Sequence, residues 1–400
     1  MSRKKPSSRC YGSQIKVSPV SLYLHLPFCL RKCAYCDFAS VALDDAGGMP
    51  AARRYLEALF VELDRRAMSE EFYGAPVRTV YLGGGTPTVL PAEWIAELLT
   101  RLRHRFAFEP EAEITIEANP GTVDEEKIAA LLAAGVNRLS IGVQSFSDEV
   151  LRTLDRVHSA ADALAAIEAA RTAGCTNLSL DLMFGIPEQS RQQWRDTLRQ
   201  TLEATSEHIS LYALSVEPGT PMERCISTGD LPAPDDDLAA DMYELACNTL
   251  SEVGFNHYEI SNFARPGMEC RHNRRYWASD EYLGIGVSAH SFRGGIRWKN
   301  HVDIGVYVEG IEGGILPVIR AETLSVRERI GEVLMLGLRC AEGVSEDDIS
   351  ARFGVAPRDA FPGIIERLCE EGALVEESGR LRIPRSKWLL SNAILSQFVL

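Results

Sequence analysis

The sequence contains no run of about 18 consecutive apolar residues, the minimum for a helix that crosses a membrane. No apolar segment follows the basic, serine-containing opening MSRKKPSSRC, so a secretory signal peptide is not predicted either. Residues 1–17 contain no acidic side chain, as is typical of transit peptides, but they lack amphipathic helical spacing. We interpret them as a flexible N-terminal tail, with a targeting segment as the alternative.

Positive charge is scarce relative to negative charge. The 400 residues include 42 Lys and Arg against 56 Asp and Glu, which gives a formal net charge of −14. A protein that binds nucleic acid needs a clustered positive field for the phosphate backbone, and an acidic chain rarely provides one. The composition therefore predicts no nucleic-acid partner.

Closely spaced cysteines are also few. Only three of the ten cysteines lie near one another: Cys29, Cys33 and Cys36. The others are isolated in apolar or helical sequence: Cys10, Cys175, Cys225, Cys247, Cys270, Cys340 and Cys369. This distribution is unlike the disulfide framework of a secreted protein, so we expect a reducing, cytoplasmic location.

Short β-branched or apolar runs do recur, and each is followed by a helical pattern. Six such runs predict strands between residues 20 and 220: VSLYLHLP, RTVYLGGG, EITIEANP, RLSIGVQSF, NLSLDLMFGIP and HISLYALSVEPGT. Strands that alternate with helices indicate parallel βα units. Six units are too few for the usual closed barrel of eight strands, so the predicted fold class is α/β, with a partial (β/α)6 TIM-like barrel.

The predicted barrel covers residues 18–230 and ends at the linker-like LPAPDDD. Residues 231–320 are predicted to be a connecting segment, with one helix followed by aromatic loops. From SVRERIGEVLMLGLR onward, residues 321–400 are predicted to form a small, mainly helical C-terminal domain with a short terminal hairpin.

In such a barrel, chemistry is expected at the C-terminal ends of the strands. Three thiols stand at the first of these ends, in HLPFCLRKCAYCDF, and soft thiolates suit zinc or iron–sulfur clusters. Structural zinc would need a fourth ligand, and the nearest candidates, His25 and Asp37, lie on the strand and beside Cys36. Three cysteines can instead hold three irons of a [4Fe–4S] cluster and leave the fourth iron open to S-adenosylmethionine (SAM). A zinc site and three buried thiols remain alternatives.

The spacing Cys29-x3-Cys33-x2-Cys36, with Tyr35 before the last cysteine, resembles the signature of radical SAM proteins. The segment LGGGTPT is similar to the family segment whose backbone receives the methionine amino group, and glycine permits that close approach. The resemblance implies three groups of SAM-binding residues. Tyr23 would lie near the sulfonium, and the backbone of Gly83, Gly84, Gly85 and Thr86 would lie against the methionine amino group. The ribose, the carboxylate and the adenosine portion would be held by Glu117, Gln144, Arg156 and Asp181. The alternative for each polar residue is a hydrogen bond at a strand end or a helix cap.

Nearly the whole chain resembles one branch, the oxygen-independent coproporphyrinogen III oxidase-like proteins. True oxidases of this branch have another cysteine two residues after the third and a longer N-terminal extension. This chain has Phe38 at that position and only 28 residues before Cys29. The segment HNRRYW instead matches the HNxxYW segment of the HemW-like haem chaperones, which implies haem binding through His272. His257 and His290 are less favoured, because cores often contain a hydrogen-bonded histidine.

The resemblance therefore implies a haem chaperone with a [4Fe–4S] cluster and SAM, which passes haem to an unidentified acceptor protein. Membrane contact is expected only as a peripheral one through that acceptor, and the chain is expected to be a monomer or a dimer. The alternatives are an oxygen-independent coproporphyrinogen III oxidase, which decarboxylates propionate side chains, and an iron–sulfur scaffold without radical chemistry. Whether the chain is an enzyme is left open.

Overall fold

The computed structural model describes residues 18–399. The tail predicted for residues 1–17 lies outside the described residues. Buried apolar side chains form one large cluster between Val20 and Ile311 and a second cluster between Ile330 and Phe398. A small third cluster, which includes Val150 and Met222, packs beside Tyr35 in the cysteine loop.

Residues 20–228 alternate strands and helices. In chain order these are β1 (Val20–Leu26), β2 (Phe28–Cys29), β3 (Val41–Ala42), α1 (Gly48–Ala67), β4 (Pro76–Gly84), α2 (Ala92–Arg105), β5 (Ala107–Ala118), α3 (Glu125–Ala133), β6 (Arg138–Gln144), α4 (Asp148–Thr153), α5 (Ala160–Thr172), β7 (Leu178–Phe184), α6 (Arg191–Glu203), β8 (His208–Ala213) and α7 (Pro221–Thr228). A 3-10 turn, Pro87–Val89, follows β4. Each of the six predicted strands is present, as β1, β4, β5, β6, β7 and β8.

These six strands pair in parallel and in chain order. Within the described residues the sheet has two free ends, so it is open and not a closed barrel. The predicted α/β class and partial barrel are confirmed. Because the C-terminal ends of parallel strands meet at one rim, the cysteine loop and the polar ends of β4 to β7 face the same space.

The central strands send alternate residues to opposite sides. In β6, Leu139, Ile141 and Val143 belong to the large apolar cluster under the helices. The intervening Ser140 and Gln144 line a cavity inside the barrel. The interior of the open barrel is therefore polar along part of its length. Polar side chains in this region can contact a bound ligand.

The connecting segment differs from the prediction, because it adds strands to both ends of the sheet. Its elements are α8 (Asp236–Glu252), β9 (Asn256–Glu259), β10 (Asn262–Ala264), α9 (Arg271–Trp277), β11 (Tyr282–Ile285), β12 (His290–Arg293), β13 (Ile296–Asn300), α10 (Ile304–Glu312) and β14 (Val318–Thr323). In the described chain the strand order is β14-β13-β12-β11-β1-β4-β5-β6-β7-β8-β10-β9. β11 pairs in parallel with β1, and the other added strands pair antiparallel. The prediction of aromatic loops was wrong here. Strands of three to six residues are too short for the sequence to show a clear alternation of apolar and polar side chains.

The C-terminal part is mainly helical, as predicted. It contains α11 (Val326–Gly337), β15 (Val344–Ser345), α12 (Glu346–Phe353), α13 (Pro357–Ala360), α14 (Ile364–Glu370), β16 (Val375–Glu377), β17 (Arg380–Arg382) and α15 (Ser391–Leu395). Two 3-10 turns flank α15, at Arg385–Leu390 and Ser396–Phe398. β16 and β17 form the terminal hairpin, which turns at Ser378 and Gly379, both with positive φ. The predicted boundary at residue 321 falls inside β14, which belongs to the large sheet.

Candidate functional site

The three predicted cluster ligands lie in the loop that leaves β1. Phe28 anchors the start of this loop, because it is buried and packs edge-on against Tyr55 with ring centroids 5.5 Å apart. The short pairing of β2 with β3 closes the loop at its other end. Cys29, Cys33 and Cys36 all line one cavity of about 420 Å³.

Each thiol sulfur has a polar neighbour. Thr86 Oγ1 lies 3.6 Å from Cys29 Sγ, Arg156 Nη1 lies 3.4 Å from Cys33 Sγ, and Ser40 Oγ lies 3.8 Å from Cys36 Sγ. Burial raises the pKa of the Cys29 and Cys36 thiols, so metal binding there would release protons. Within residues 18–399, no three metal-binding side chains converge as a single ion requires. Three thiols on one cavity wall can hold three irons of a [4Fe–4S] cluster.

The end of β4 presses against the cysteine loop, and glycine is required there. Gly84 has φ +110°, and a Cβ at that position would lie 2.6 Å from the His25 ring. A Cβ at Gly85 would lie 2.7 Å from the Phe28 carbonyl oxygen. The Thr86 N–H donates to that same carbonyl at 2.7 Å. The glycines therefore allow the backbone of β4 to form part of the cavity wall beside the thiols.

Glu117 lies near the end of β5 and is partly buried. It accepts hydrogen bonds from the Tyr81 hydroxyl at 2.8 Å and from the Gly84 N–H at 3.2 Å. Burial outweighs these bonds and raises the pKa of Glu117 from 4.5 to about 7. Gly83 lies beside this carboxyl, where a Cβ would come within 2.9 Å of Glu117 Oε2. The cavity thus contains an acid that titrates near neutral pH.

Asp181, on β7, is a second, partly buried carboxyl in the same cavity. Ser140 Oγ donates to its two oxygens at 3.1 and 3.0 Å, and Ser179 Oγ donates at 3.3 Å. Burial raises the pKa of Asp181 despite these bonds, and the two carboxyls of Asp181 and Glu117 repel each other when charged. Both carboxyls are suited to accept hydrogen bonds from hydroxyls or amines of a ligand.

Arg156 connects the thiols to the polar strand ends. Its Nη2 donates to Asn119 Oδ1 at 2.5 Å and to the Gly142 carbonyl at 2.9 Å. Asn119 Nδ2 in turn donates to Thr86 Oγ1 at 2.7 Å. Arg156 Nε is buried and has no hydrogen-bond acceptor among the described residues. A ligand carboxylate in the cavity would satisfy this donor and the positive charge together.

Gln144 ends β6 in a left-handed backbone conformation, with φ +62°. This conformation is uncommon for residues other than glycine and is typical of functional sites. Its side chain lies beside Gly142, where a Cβ would come within 2.9 Å of Gln144 Nε2. Both residues line the same cavity as the cysteines.

The structure brings most of the predicted site together, but not all of it. The predicted residues that line the cavity are Cys29, Cys33, Cys36, Gly84, Gly85, Thr86, Glu117, Gln144, Arg156 and Asp181. Gly83 lies just behind the wall. Tyr23 does not line this cavity, and its place near the sulfonium stays a prediction. It pairs with Tyr81, deeper in the barrel than the rim, and lines a neighbouring cavity of about 620 Å³.

The predicted haem ligand His272 is not in a loop but near the start of α9, inside the barrel. It is 1% exposed, and both its ring nitrogens are hydrogen bonded, to Thr79 Oγ1 at 2.8 Å and to the Tyr276 hydroxyl at 3.0 Å. Burial and the charge of Arg138 lower the pKa of His272 to about 3. The motif lies outside the six βα units in sequence but contacts them, because Thr79 belongs to β4. A haem iron could reach the ring only after these bonds had broken, so the ligand role stays a prediction.

Sequence reasoning did not assign several polar residues of the cavity. They include Tyr81, Asn119 and Ser140. A signal was present, because polar residues alternate with large apolar ones in strands that are otherwise buried. Tyr81 and Ser140 both stand at such inward positions.

The chain matches known families over most of its length. Residues 23–201 match the Radical SAM superfamily, and residues 324–390 match the HemN C-terminal domain. The heme chaperone HemW of Mycobacterium tuberculosis is 40% identical over 378 residues, which cover 94% of this chain and 94% of that protein. HemW of Bacillus subtilis is 34% identical over 383 residues, 95% of this chain and 99% of the relative.

A solved structure resembles the fold over nearly the whole chain. Coproporphyrinogen III oxidase (HemN) from Escherichia coli, described as a radical SAM enzyme, superposes with a TM-score of 0.84 at 27% identity. The match covers 96% of this chain and 91% of that protein. No helix among the described residues is long and apolar enough to cross a membrane.

Proposed function

The chain belongs to the HemW family of radical SAM proteins, and we propose that it is a haem chaperone, which binds haem and transfers it to an acceptor protein. The observation that carries this proposal is the match to HemW over 94% of both chains. Phe38 supports it, since the oxidases that the sequence resembles have a cysteine at this position.

We further propose that the 420 Å³ cavity holds a [4Fe–4S] cluster and SAM. Cys29, Cys33 and Cys36 would ligate the cluster, and the donor set suits it because the fourth iron is left without a protein thiol. A reduced cluster with bound SAM supplies one-electron chemistry. Support for SAM comes from the buried Arg156 Nε, which lacks an acceptor among residues 18–399.

The protein residues would orient the cofactor in distinct ways. Arg156 would pair with the methionine carboxylate, while the end of β4 at Gly84 and Gly85 would lie against the methionine group. Glu117 and Asp181 would accept hydrogen bonds from the ribose and adenosine portions. The neutral form of Glu117 below about pH 7 would weaken its part in this binding, because an uncharged carboxyl accepts weaker hydrogen bonds.

The proposed partners are haem and a haem-accepting protein, with membrane contact only through that acceptor. A cytoplasmic location is supported by the nine cysteines of the described residues, which are all free thiols and suit a reducing compartment.

The alternative function is oxygen-independent coproporphyrinogen oxidation. It is favoured by the similarity to HemN and by the gathering of Glu117, Arg156 and Asp181 in one cavity. It is disfavoured by Phe38, which is 66% exposed beside the cluster loop and offers no thiol.

One experiment separates these functions. The purified chain is reconstituted anaerobically, and iron, sulfide, SAM binding, haem binding and coproporphyrinogen turnover are measured in parallel. We expect a single [4Fe–4S] cluster per chain, haem binding, and no decarboxylation. The cluster should be lost when any of Cys29, Cys33 or Cys36 is replaced by alanine, and Cys225→Ala, at an exposed thiol, is the matched control.

Formation of protoporphyrinogen IX by the reconstituted protein would contradict the chaperone proposal. Stoichiometric zinc without iron would exclude the cluster, and a loaded cluster that fails to bind SAM would favour the scaffold alternative.

A further inference from the structure

The C-terminal part of the chain packs against α9 and borders a cavity of about 490 Å³, which we call the arginine cavity. Trp277, at the end of α9, lines it, and so do five arginines: Arg271, Arg274, Arg275, Arg352 and Arg380. The acidic residues on its walls are Glu342 and Asp348. The cavity is therefore cationic, although the formal net charge of the chain is −14.

Two of the five arginines are paired with carboxylates. Arg274 Nη2 lies 3.0 Å from Glu342 Oε1, and Arg275 Nη1 lies 3.1 Å from Asp280 Oδ2. Within residues 18–399 the other three make no ion pair: Arg271, Arg352 and Arg380. A ligand that carries carboxylates would supply the missing counter-ions.

The three arginines without a carboxylate are held by backbone carbonyls. Arg352 Nη2 donates to the Ser279 carbonyl at 2.8 Å, and Arg380 Nη2 donates to the Gly343 carbonyl at 2.9 Å. Arg271 also donates to a backbone carbonyl. These bonds fix the guanidinium groups in place without neutralising their charge, so the cations are already positioned for a ligand.

Two donors beside the cavity lack acceptors. Arg275 Nε and the indole Nε1 of Trp277 are buried, and neither has a hydrogen-bond partner among the described residues. A buried donor without a partner costs free energy, which a bound acceptor would recover. The unpaired donors thus favour the same kind of ligand as the unpaired cations.

The walls of the cavity favour a protein segment over a simple anion. Val333, Val344 and Ile349 line it beside Trp277, so part of its surface is apolar. Arginine and tryptophan are the residues that most often dominate the energetics of protein interfaces. Arg352 is exposed, which leaves the cavity open to solvent. The acidic chain as a whole would repel a long polyanion such as a nucleic acid.

The two sides of α9 have different surroundings. Arg271, Arg274 and Arg275 are spaced three and four residues apart and share the side that lines the arginine cavity. His272 and Tyr276 share the other side, which faces the barrel. The cavity and the predicted haem ligand are therefore separated by one helix, about 10 Å across.

We propose that the arginine cavity is the docking site for the haem-accepting protein, which inserts a short segment with carboxylates on both sides of an apolar side chain. The proposal rests on the proposed haem-chaperone function and names the chemistry of its partner. Arg271, Arg352 and Arg380 pair with the carboxylates, and Trp277 packs against the apolar side chain and donates its Nε1–H to the segment.

The test uses a fluorescein-labelled hexapeptide of glutamates and leucines, and the same peptide with glutamines in place of the glutamates. Binding to the cluster-loaded protein is measured by fluorescence anisotropy. The wild type should bind the glutamate peptide at least about tenfold more tightly than the glutamine peptide, and added salt should reduce this difference.

Variants of the protein then locate the binding site. Arg352→Gln and Arg380→Gln should each weaken binding of the glutamate peptide about three- to tenfold. Arg352→Lys, which keeps the charge, should lose less. Arg103→Gln is the matched control, because Arg103 on α2 also donates to a backbone carbonyl and makes no ion pair within the described chain. It should bind the peptide as the wild type does.

A further variant tests the indole donor. Trp277→Phe keeps an aromatic ring but removes the N–H, and it should weaken binding of the glutamate peptide about two- to fivefold. Iron content and thermal unfolding, measured for every variant, report whether the fold is intact.

Equal affinity of the wild type for the two peptides, or wild-type affinity in both glutamine variants, would overturn the docking site. Haem titration of the same variants should match the wild type. If they lose affinity for haem but not for haem dimethyl ester, the arginines bind the propionates and the docking role is wrong. It is also wrong if they lose binding to phosphatidylglycerol vesicles but not to the peptide.

The same measurements separate this proposal from the proposed function. A wild-type protein that binds haem but not the glutamate peptide would overturn the docking site and leave the chaperone function standing. A wild-type protein that does not bind haem would overturn the function itself.

Discussion

Replacing Glu117 with glutamine is expected to change how the stability of the protein depends on pH. Burial raises the pKa of Glu117 from 4.5 to about 7 in the folded chain. In the unfolded chain the carboxyl ionises at its ordinary pKa. Between pH 4.5 and 7 the folded protein therefore binds more protons than the unfolded chain, and the free energy of unfolding falls as pH rises.

The size of this effect follows from the same values. A difference from 4.5 to about 7 corresponds to about 3 kcal/mol of stability, present below pH 4.5 and lost above pH 7. Glutamine is uncharged at every pH. The Tyr81 hydroxyl and the Gly84 N–H bond to different oxygens of Glu117, so the single carbonyl oxygen of glutamine can accept from only one of them, and the lost bond is an offset that does not vary with pH. The stability of Glu117→Gln relative to wild type should therefore increase by about 3 kcal/mol between pH 4.5 and pH 8.

The measurement is urea unfolding of both proteins from pH 4.5 to 8.5, under anaerobic conditions and at equal cluster loading. Glu259 is a second buried carboxyl, whose pKa burial raises to about 7, so wild-type data alone cannot isolate Glu117. The difference between the two proteins removes this shared contribution. Glu252→Gln, at an exposed position at the end of α8, is the matched control. A stability difference between Glu117→Gln and wild type that does not vary with pH would refute the reasoning.

Three further substitutions test other parts of the site. Arg156→Ala should weaken SAM binding about ten- to hundredfold, because buried charge-assisted hydrogen bonds are lost. The variant should retain its iron, because all three thiols remain. Unchanged SAM affinity in calorimetry would exclude Arg156 from the SAM site. Gly84→Ala should lower the iron content, because the added methyl meets the His25 ring and φ is +110°. Gly121→Ala, also at positive φ but in open space, is its control, and equal iron in both variants would contradict the steric argument. His272→Ala should reduce the free energy of unfolding by at least about 2 kcal/mol, since two hydroxyl partners lose their bonds. Unaltered stability with lost haem binding would instead favour a ligand role.

The central strands could be predicted from the sequence because their signal is local. β6 and β7 consist largely of buried residues, and Gly185 and Pro187 follow β7. The cysteine spacing is local too, and three thiols within eight residues are enough to indicate a cluster. The position of the site could then be inferred from the strand order. Parallel strands that follow one another in sequence end at the same edge of the sheet, so the polar residues at their C-terminal ends lie close together.

The position of α9 could not be predicted in this way. His272 is held by Thr79, 193 residues earlier, and its backbone N–H donates to Glu113, 159 residues earlier. No local pattern indicates such contacts, and the motif therefore suggested a loop. The added strands β11 to β14 are likewise defined by their pairing with β1 and with one another and not by their own composition.

The cluster cavity and a second cavity, of about 620 Å³, have a common wall, and this bears on how a chaperone could use a SAM site. Glu117 accepts a hydrogen bond from Gly84, and both residues face both cavities. A ligand that engages this carboxyl from one cavity therefore changes the surroundings of a ligand in the other cavity. Coupling between two binding equilibria is reciprocal, so the factor by which SAM alters the affinity of such a ligand must equal the factor by which that ligand alters SAM affinity. If SAM occupies the cluster cavity as proposed, it can alter the binding of a ligand in the second cavity through binding alone, without cleavage of the cofactor.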